Sequence, residues 1–188
     1  MKITETMLVG VKLLKPIRFS DNRGFFAETY NRRVFEDLGI NIDFVQENHS
    51  LSSEVGTVRG LHFQSPPNAQ TKLVRCGRGA IFDVVVDIRQ GSPTYGAWIG
   101  QKLSAENGTQ LFISAGFAHG FVTLEPDSEI IYMCSNYYAP KAELALRWDD
   151  PELNINWPIK GKAILSKKDI SAPLFADFDS PFVWKNKS

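Results

Sequence analysis

The chain has little histidine and little cysteine, three of the first and two of the second among 188 residues. A histidine mechanism therefore has only His49, His62 and His119 to draw on. It also lacks an excess of either charge, because 21 Lys and Arg offset 21 Asp and Glu. With no basic stripe and no acidic tail, nucleic acid and membrane surfaces are excluded as main partners. No apolar run approaches the length of a membrane span. The first six residues lack the apolar stretch of a signal peptide, so a cytoplasmic setting is expected. Cys76 and Cys134 lie in strand-like segments and are expected to be reduced core thiols. A glycine-rich dinucleotide fingerprint is missing too: Gly77-Arg78-Gly79 has none of the rest of that motif. No repeat, low-complexity stretch or linker divides the chain. One domain over 1–188 is expected, long enough for a hydrophobic core.

What is present is a series of short β-rich runs punctuated by turn residues. They fall at 7–14, 25–30, 43–52, 57–63, 71–76, 80–88, 97–103, 110–114, 117–124, 128–137 and 143–148. Asn107-Gly108 reads as a hairpin turn. One helix is expected near 31–38, capped by Asn31, with Val34, Phe35 and Leu38 on one face and Gly39 at its end. From about Asp149 the chain carries Pro151, Pro158, Pro173 and Pro181 and few strand-like runs, which predicts short helices and loops. The fold class is therefore mainly β, a sandwich or barrel, a set to which jelly rolls belong, with a few short helices.

The densest chemistry lies in Arg59-Gly60-Leu61-His62-Phe63-Gln64, with Lys72 ten residues beyond His62. Burial and cationic neighbours both favour a neutral imidazole that can accept a proton, and a lysine can offset a nearby anion. Each residue also has an ordinary structural reading: a satisfied core histidine, an edge lysine, a core tyrosine at Tyr132, and a helix-capping Asp169 in Ser166-Lys167-Lys168-Asp169. Strand alternation puts His62 and Arg59 on opposite faces. They can serve one ligand only if the strand is irregular between them, and Gly60 permits a bulge. Gly116-Phe117-Ala118-His119-Gly120 has the look of a second cupin motif. The first motif, however, would need His-x-His and a following Glu, and here it reads His62-Phe63-Gln64. Glutamine is a poor replacement for imidazole, so no metal site is expected.

Taken in order, the motifs resemble the dTDP-4-dehydrorhamnose 3,5-epimerase family over nearly the whole chain. They run from Asp21-Asn22-Arg23-Gly24-Phe25-Phe26-Ala27-Glu28 through Gln46-Glu47-Asn48-His49-Ser50 and Val58–Gln64 to Gln70–Arg75. Asp83–Arg89, Ser92–Gly96, Gly116–Phe121, Tyr137–Pro140, Trp148–Pro151 and Leu165–Asp169 follow. The resemblance narrows the fold to a cupin-type jelly roll and implies a dimeric isomerase that uses neither metal nor organic cofactor. It further implies that His62 is the base at sugar carbons 3 and 5, that Asp169 orients its ring, that Tyr132 returns a proton from the opposite face, and that Lys72 stabilises the enolate oxygen. By the same likeness Arg23, Glu28, Gln46, Asn48, Arg59, His119, Glu143 and Lys168 contact a dTDP-sugar, and Tyr138 stacks on its thymine.

The residue chemistry suits such roles. Epimerisation beside a ketone needs a base, an acid on the other face, and a cation for the oxyanion between them. Two departures from the family pattern, Ser114 in place of proline and Phe63 in place of tyrosine, touch no proposed role. Single epimerisation at carbon 3, a metal-dependent cupin and a non-catalytic sugar-nucleotide binder stand as the rival readings.

Overall fold

The computed structural model describes residues 1–185. In chain order the elements are β1 (Lys2–Glu5), β2 (Val11–Lys15), β3 (Arg18–Asp21), β4 (Gly24–Ala27), α1 (Arg32–Asp37), β5 (Gln46–Ser52), β6 (Val58–Gln64), β7 (Lys72–Arg78) and β8 (Ala80–Asp87). There follow β9 (Trp98–Ser104), β10 (Gln110–Ile113), β11 (Phe117–Thr123), β12 (Ser128–Cys134), β13 (Glu143–Ala145) and α2 (Lys167–Ile170), with a 3-10 turn at Phe175–Asp177. Two antiparallel sheets, ordered β1-β2-β10-β7-β12-β5 and β13-β6-β11-β8-β9, pack face to face as a jelly-roll (cupin-type) sandwich, and β3-β4 stands apart as a hairpin.

Alternation along the strands distributes the apolar residues into three layers. Between the sheets lie Val74 and Cys76 of β7, Ile81 and Val85 of β8, Leu111 and Ile113 of β10, Phe117 and Phe121 of β11, and Ile130 of β12. The outer face of the five-stranded sheet, with Leu61, Phe63, Val84 and Val86, is covered by the C-terminal segment through Leu146, Leu153, Phe175 and Phe182. Helix α1 covers the outer face of the other sheet, packing Phe35 against Leu14, Leu73 and Phe112. Burying Phe35 contributes about 1.5–3 kcal/mol. Because β8 is covered on both faces it reads as an apolar run interrupted only by Asp83 before its end at Asp87, and for the same reason it was plain in the sequence.

Asn31 caps α1 as expected, accepting from the Arg33 N–H at 3.1 Å, and Gly39 follows at φ +77. Cys76 and Cys134 are free and buried. Several expectations need correction. Residues 7–10 form a turn, and the strand expected at 7–14 begins at Val11. The strands β1 and β3 were not foreseen. Asn107-Gly108 is not a hairpin turn: β9 and β10 belong to different sheets, so this corner carries the chain across the sandwich. Asn107 closes it by accepting from the N–H groups of Ser104 and Thr109.

Candidate active site

One end of the sandwich interior is polar and open. There a cavity of about 390 Å³ is lined by Arg59, His62, Lys72, His119, Tyr132 and Asp169, with Ser50, Thr57 and Ser166 at its wall. A second lobe of about 280 Å³ shares His62, Lys72 and Tyr132 and adds Gln46, Asn48, Tyr138 and Glu143. The shared trio comes from both sheets. His62 projects from β6 of the five-stranded sheet, whereas Lys72 and Tyr132 project from β7 and β12 of the six-stranded one. The imidazole and the phenol thus border both lobes from opposite sheets.

The irregularity that would bring Arg59 and His62 together is present. His119 pairs with His62 and Phe121 with Arg59, so three residues of β6 advance against two of β11. Gly60 occupies the bulge at φ +121. A Cβ there would stand 2.5 Å from Gly120 Cα and 2.7 Å from the His119 carbonyl oxygen, so this close approach of strands requires glycine. Arg59 then donates to Ser52 Oγ and the Leu51 carbonyl, both at 3.1 Å, while lining the cavity.

His62 Nε2 lies 2.6 Å from Asp169 Oδ1. The helix-cap reading of Asp169 holds at the same time: its N–H donates to Ser166 Oγ at 3.1 Å, and the Ser166 hydroxyl donates to Asp169 Oδ2 at 2.6 Å. Burial pushes the Asp169 carboxyl up, but hydrogen bonds from His62, Ser166 and the Gly60 N–H outweigh it and hold the group below the ordinary carboxylate range. The side chain of His62 keeps 28% of its surface exposed and faces a carboxylate. Its setting is thus more open than the expected buried one, and the carboxylate that the resemblance placed at its ring is in contact with it.

Burial pushes the Lys72 ammonium down, opposed by Cys134, Asp83 and Glu143. Burial pushes the Tyr132 phenol up, which keeps it protonated and able to donate. Around the second lobe a hydrogen-bonded rim closes. The Tyr138 hydroxyl donates to Glu143 at 2.7 Å, and Lys168 pairs with the other oxygen of Glu143 at 2.5 Å. The Tyr138 N–H donates to Gln46, Gln46 to Asn48, and Asn48 to Cys134 Sγ.

Eleven of the thirteen residues named from the sequence thus border the two lobes or their rim. Arg23 and Glu28 do not. Arg23 pairs with Asp21 at the exposed tip of the β3–β4 hairpin, and Glu28 accepts from Asn31. Sequence reasoning missed Asp83, Cys134 and Ser166 as parts of the site. Asp83 had a signal, an acid in the middle of an apolar strand on its inward face. Gln64, read only as the residue that spoils a metal motif, is buried and ties the Asn68, Tyr137 and Ala139 backbone together. Among the described residues no cluster of three or more His, Cys, Asp or Glu could hold a metal ion. His62 and His119 are each engaged by a carboxylate.

The family model for dTDP-4-dehydrorhamnose 3,5-epimerase matches residues 5–177. A dTDP-4-dehydrorhamnose 3,5-epimerase from Salmonella typhimurium is 51% identical over 175 residues, 93% of this chain and 95% of that protein. The crystal structure of dTDP-6-deoxy-D-glucose-3,5-epimerase from Legionella pneumophila, in complex with dTDP-4-keto-L-rhamnose, superimposes with a TM-score of 0.94 at 42% identity and covers 98% of both chains. A 3'-monoepimerase from Streptomyces bikiniensis, in complex with dTDP-quinovose, gives a TM-score of 0.84 at 37% identity, covering 89% of this chain and 84% of that one.

Proposed function

Because the chain belongs to the dTDP-4-dehydrorhamnose 3,5-epimerase family, we propose that it epimerises dTDP-4-dehydro-6-deoxy-D-glucose at carbons 3 and 5. The product is dTDP-4-dehydro-6-deoxy-L-mannose, on the way to dTDP-L-rhamnose. The observation that carries this reading is the placement of His62 and Tyr132 on opposite sheets, across the cavity that also holds Lys72.

The ketone at carbon 4 acidifies the hydrogens on both neighbouring carbons, so the reaction needs no redox cofactor. His62 takes a proton from carbon, and the electron pair moves to the carbonyl oxygen as an enolate. Lys72 offsets that charge in a partly dry site. Tyr132 then protonates the same carbon from the other face, inverting it, and the two side chains return to their starting states by exchange with water. Asp169 fixes the ring of His62 and balances it once charged. Arg59 suits the diphosphate and Tyr138 suits the thymine, with Gln46, Asn48, His119, Glu143 and Lys168 as further contacts.

Two features support a homodimer. The β3–β4 hairpin leaves Phe19, Phe25 and Phe26 each more than half exposed. Arg23 and Glu28, if they touch substrate, do so only in a second copy of the chain. The free, buried cysteines suit the reducing cytoplasm.

The test is direct turnover of dTDP-4-dehydro-6-deoxy-D-glucose, with the product identified from its NMR couplings. A sugar inverted at both carbons supports the proposal. The likeness to a 3'-monoepimerase favours one rival, and a product inverted only at carbon 3 would establish it.

A further inference from the structure

Asp83 is fully buried in the middle of β8, on the inward face it shares with Ile81 and Val85 of the apolar core. Both its carboxylate oxygens lie against one atom, His119 Nε2, at 2.9 and 3.0 Å. Its side chain makes no other hydrogen bond among the described residues. Asp87, two residues on and equally buried, is different. It accepts from the Arg89 guanidinium and N–H, Ser92 and Thr94, a closed structural clamp.

A buried carboxylate hydrogen-bonded to one imidazole contributes little stability relative to apolar residues of similar volume, so packing alone does not call for a carboxylate at 83. Its one partner, His119, lies beside Lys72 in the wall of the cavity where the enolate oxygen is expected. We propose that Asp83 is a positioning residue for the epimerisation: it fixes the His119 ring against the cavity and supplies the buried negative charge that helps keep the Lys72 ammonium charged. This inference rests on the function proposed above.

The electrostatic surroundings of Lys72 agree with that placement. Burial drives its ammonium down, and Asp83 opposes this from β8 together with Cys134 from β12 and Glu143 from β13. Also facing the same space are Tyr132 on β12, His62 on β6 with its partner Asp169 from α2, and His119 on β11. Asp83 is the fully buried carboxylate with the fewest competing donors, so its charge is screened least. Removing that charge makes Lys72 lose its proton at lower pH, and the alkaline limb of kcat moves down with it.

The experiment compares Asp83→Asn with the parent protein by kcat, KM, pH profile, dTDP affinity and thermal melting. The amide keeps the shape and can still accept from His119. We expect kcat to fall about 10–100-fold and the alkaline limb to shift to lower pH. Melting temperature and dTDP affinity stay near the parent's. A kcat within about twofold of the parent and an unmoved limb would overturn the inference. Should the asparagine variant not fold, Asp83→Ser reads the same quantities. Inactivity of the parent on the dTDP-sugar would instead overturn the function itself, so the two failures are distinguishable.

Discussion

Asp169 holds His62 across 107 residues of sequence, Oδ1 to Nε2 at 2.6 Å, while its own backbone N–H is capped by Ser166. The Asp169 carboxylate therefore binds both the Ser166 cap of α2 and the His62 ring, so the helix start and the placement of the ring are fixed together. Asp169→Asn keeps the shape but lets the ring choose the wrong tautomer. We expect kcat to fall about 100-fold or more, with dTDP affinity little changed, as measured by steady-state kinetics and calorimetry.

The same residue has a stability signature. Its folded carboxyl lies below the ordinary range, so its contribution is complete above the unfolded value, about 3.9, and disappears as pH falls through the lower folded value. Thermal melts of the parent and Asp169→Asn should differ most above about pH 4 and converge in stronger acid. A gap that widened on acidification would contradict this.

Tyr132→Phe separates proton removal from proton return. The Tyr132 hydroxyl makes no hydrogen bond to protein groups among the described residues, so its loss orphans no partner, and stability should stay within about 0.5 kcal/mol. Solvent exchange at the carbons next to the ketone should persist while inverted product falls about 100-fold or more. Parent-like turnover would remove Tyr132 from its role.

Lys72→Met tests the oxyanion partner. A partly buried ammonium, driven down by desolvation, is replaced by an apolar side chain of similar length. We expect kcat to fall about 100- to 1,000-fold, with a melting temperature equal to the parent's or higher. A large loss of stability would mean that Lys72 is chiefly structural.

Gly60→Ala probes the bulge that aims Arg59 inward. The new methyl would meet Gly120 and the His119 carbonyl at 2.5 and 2.7 Å, at a φ that disfavours any side chain. A loss of about 3 kcal/mol or more in chemical denaturation is expected, with His62 and His119 displaced on either side.

The sandwich was largely legible from residues alone. Strands such as β8 and β11 announce themselves because burial on both faces demands β-branched and aromatic runs. The four-residue β1 and β3 did not, since their side chains are mostly exposed and leave no apolar alternation to read. Asn107-Gly108 was legible as a turn but not as a corner between sheets, because local turn chemistry carries no information about the partner strand. The bulge at Gly60 was foreseen as a condition, yet its direction depends on Gly120, far along the chain. Singly, His62 and Asp169 read as a core histidine and a helix cap. Family likeness joined them, and the sandwich shows why, since α2 packs against β6.

The most direct measurement is deuterium incorporation by NMR, with the protein, a chelator and dTDP-4-dehydro-6-deoxy-D-glucose in heavy water. The account predicts label and inversion at both carbons 3 and 5, and loss of both with His62→Ala while dTDP still binds. Label confined to carbon 3 would contradict the double epimerisation, and no label at either carbon would contradict His62 as a base for carbon acids.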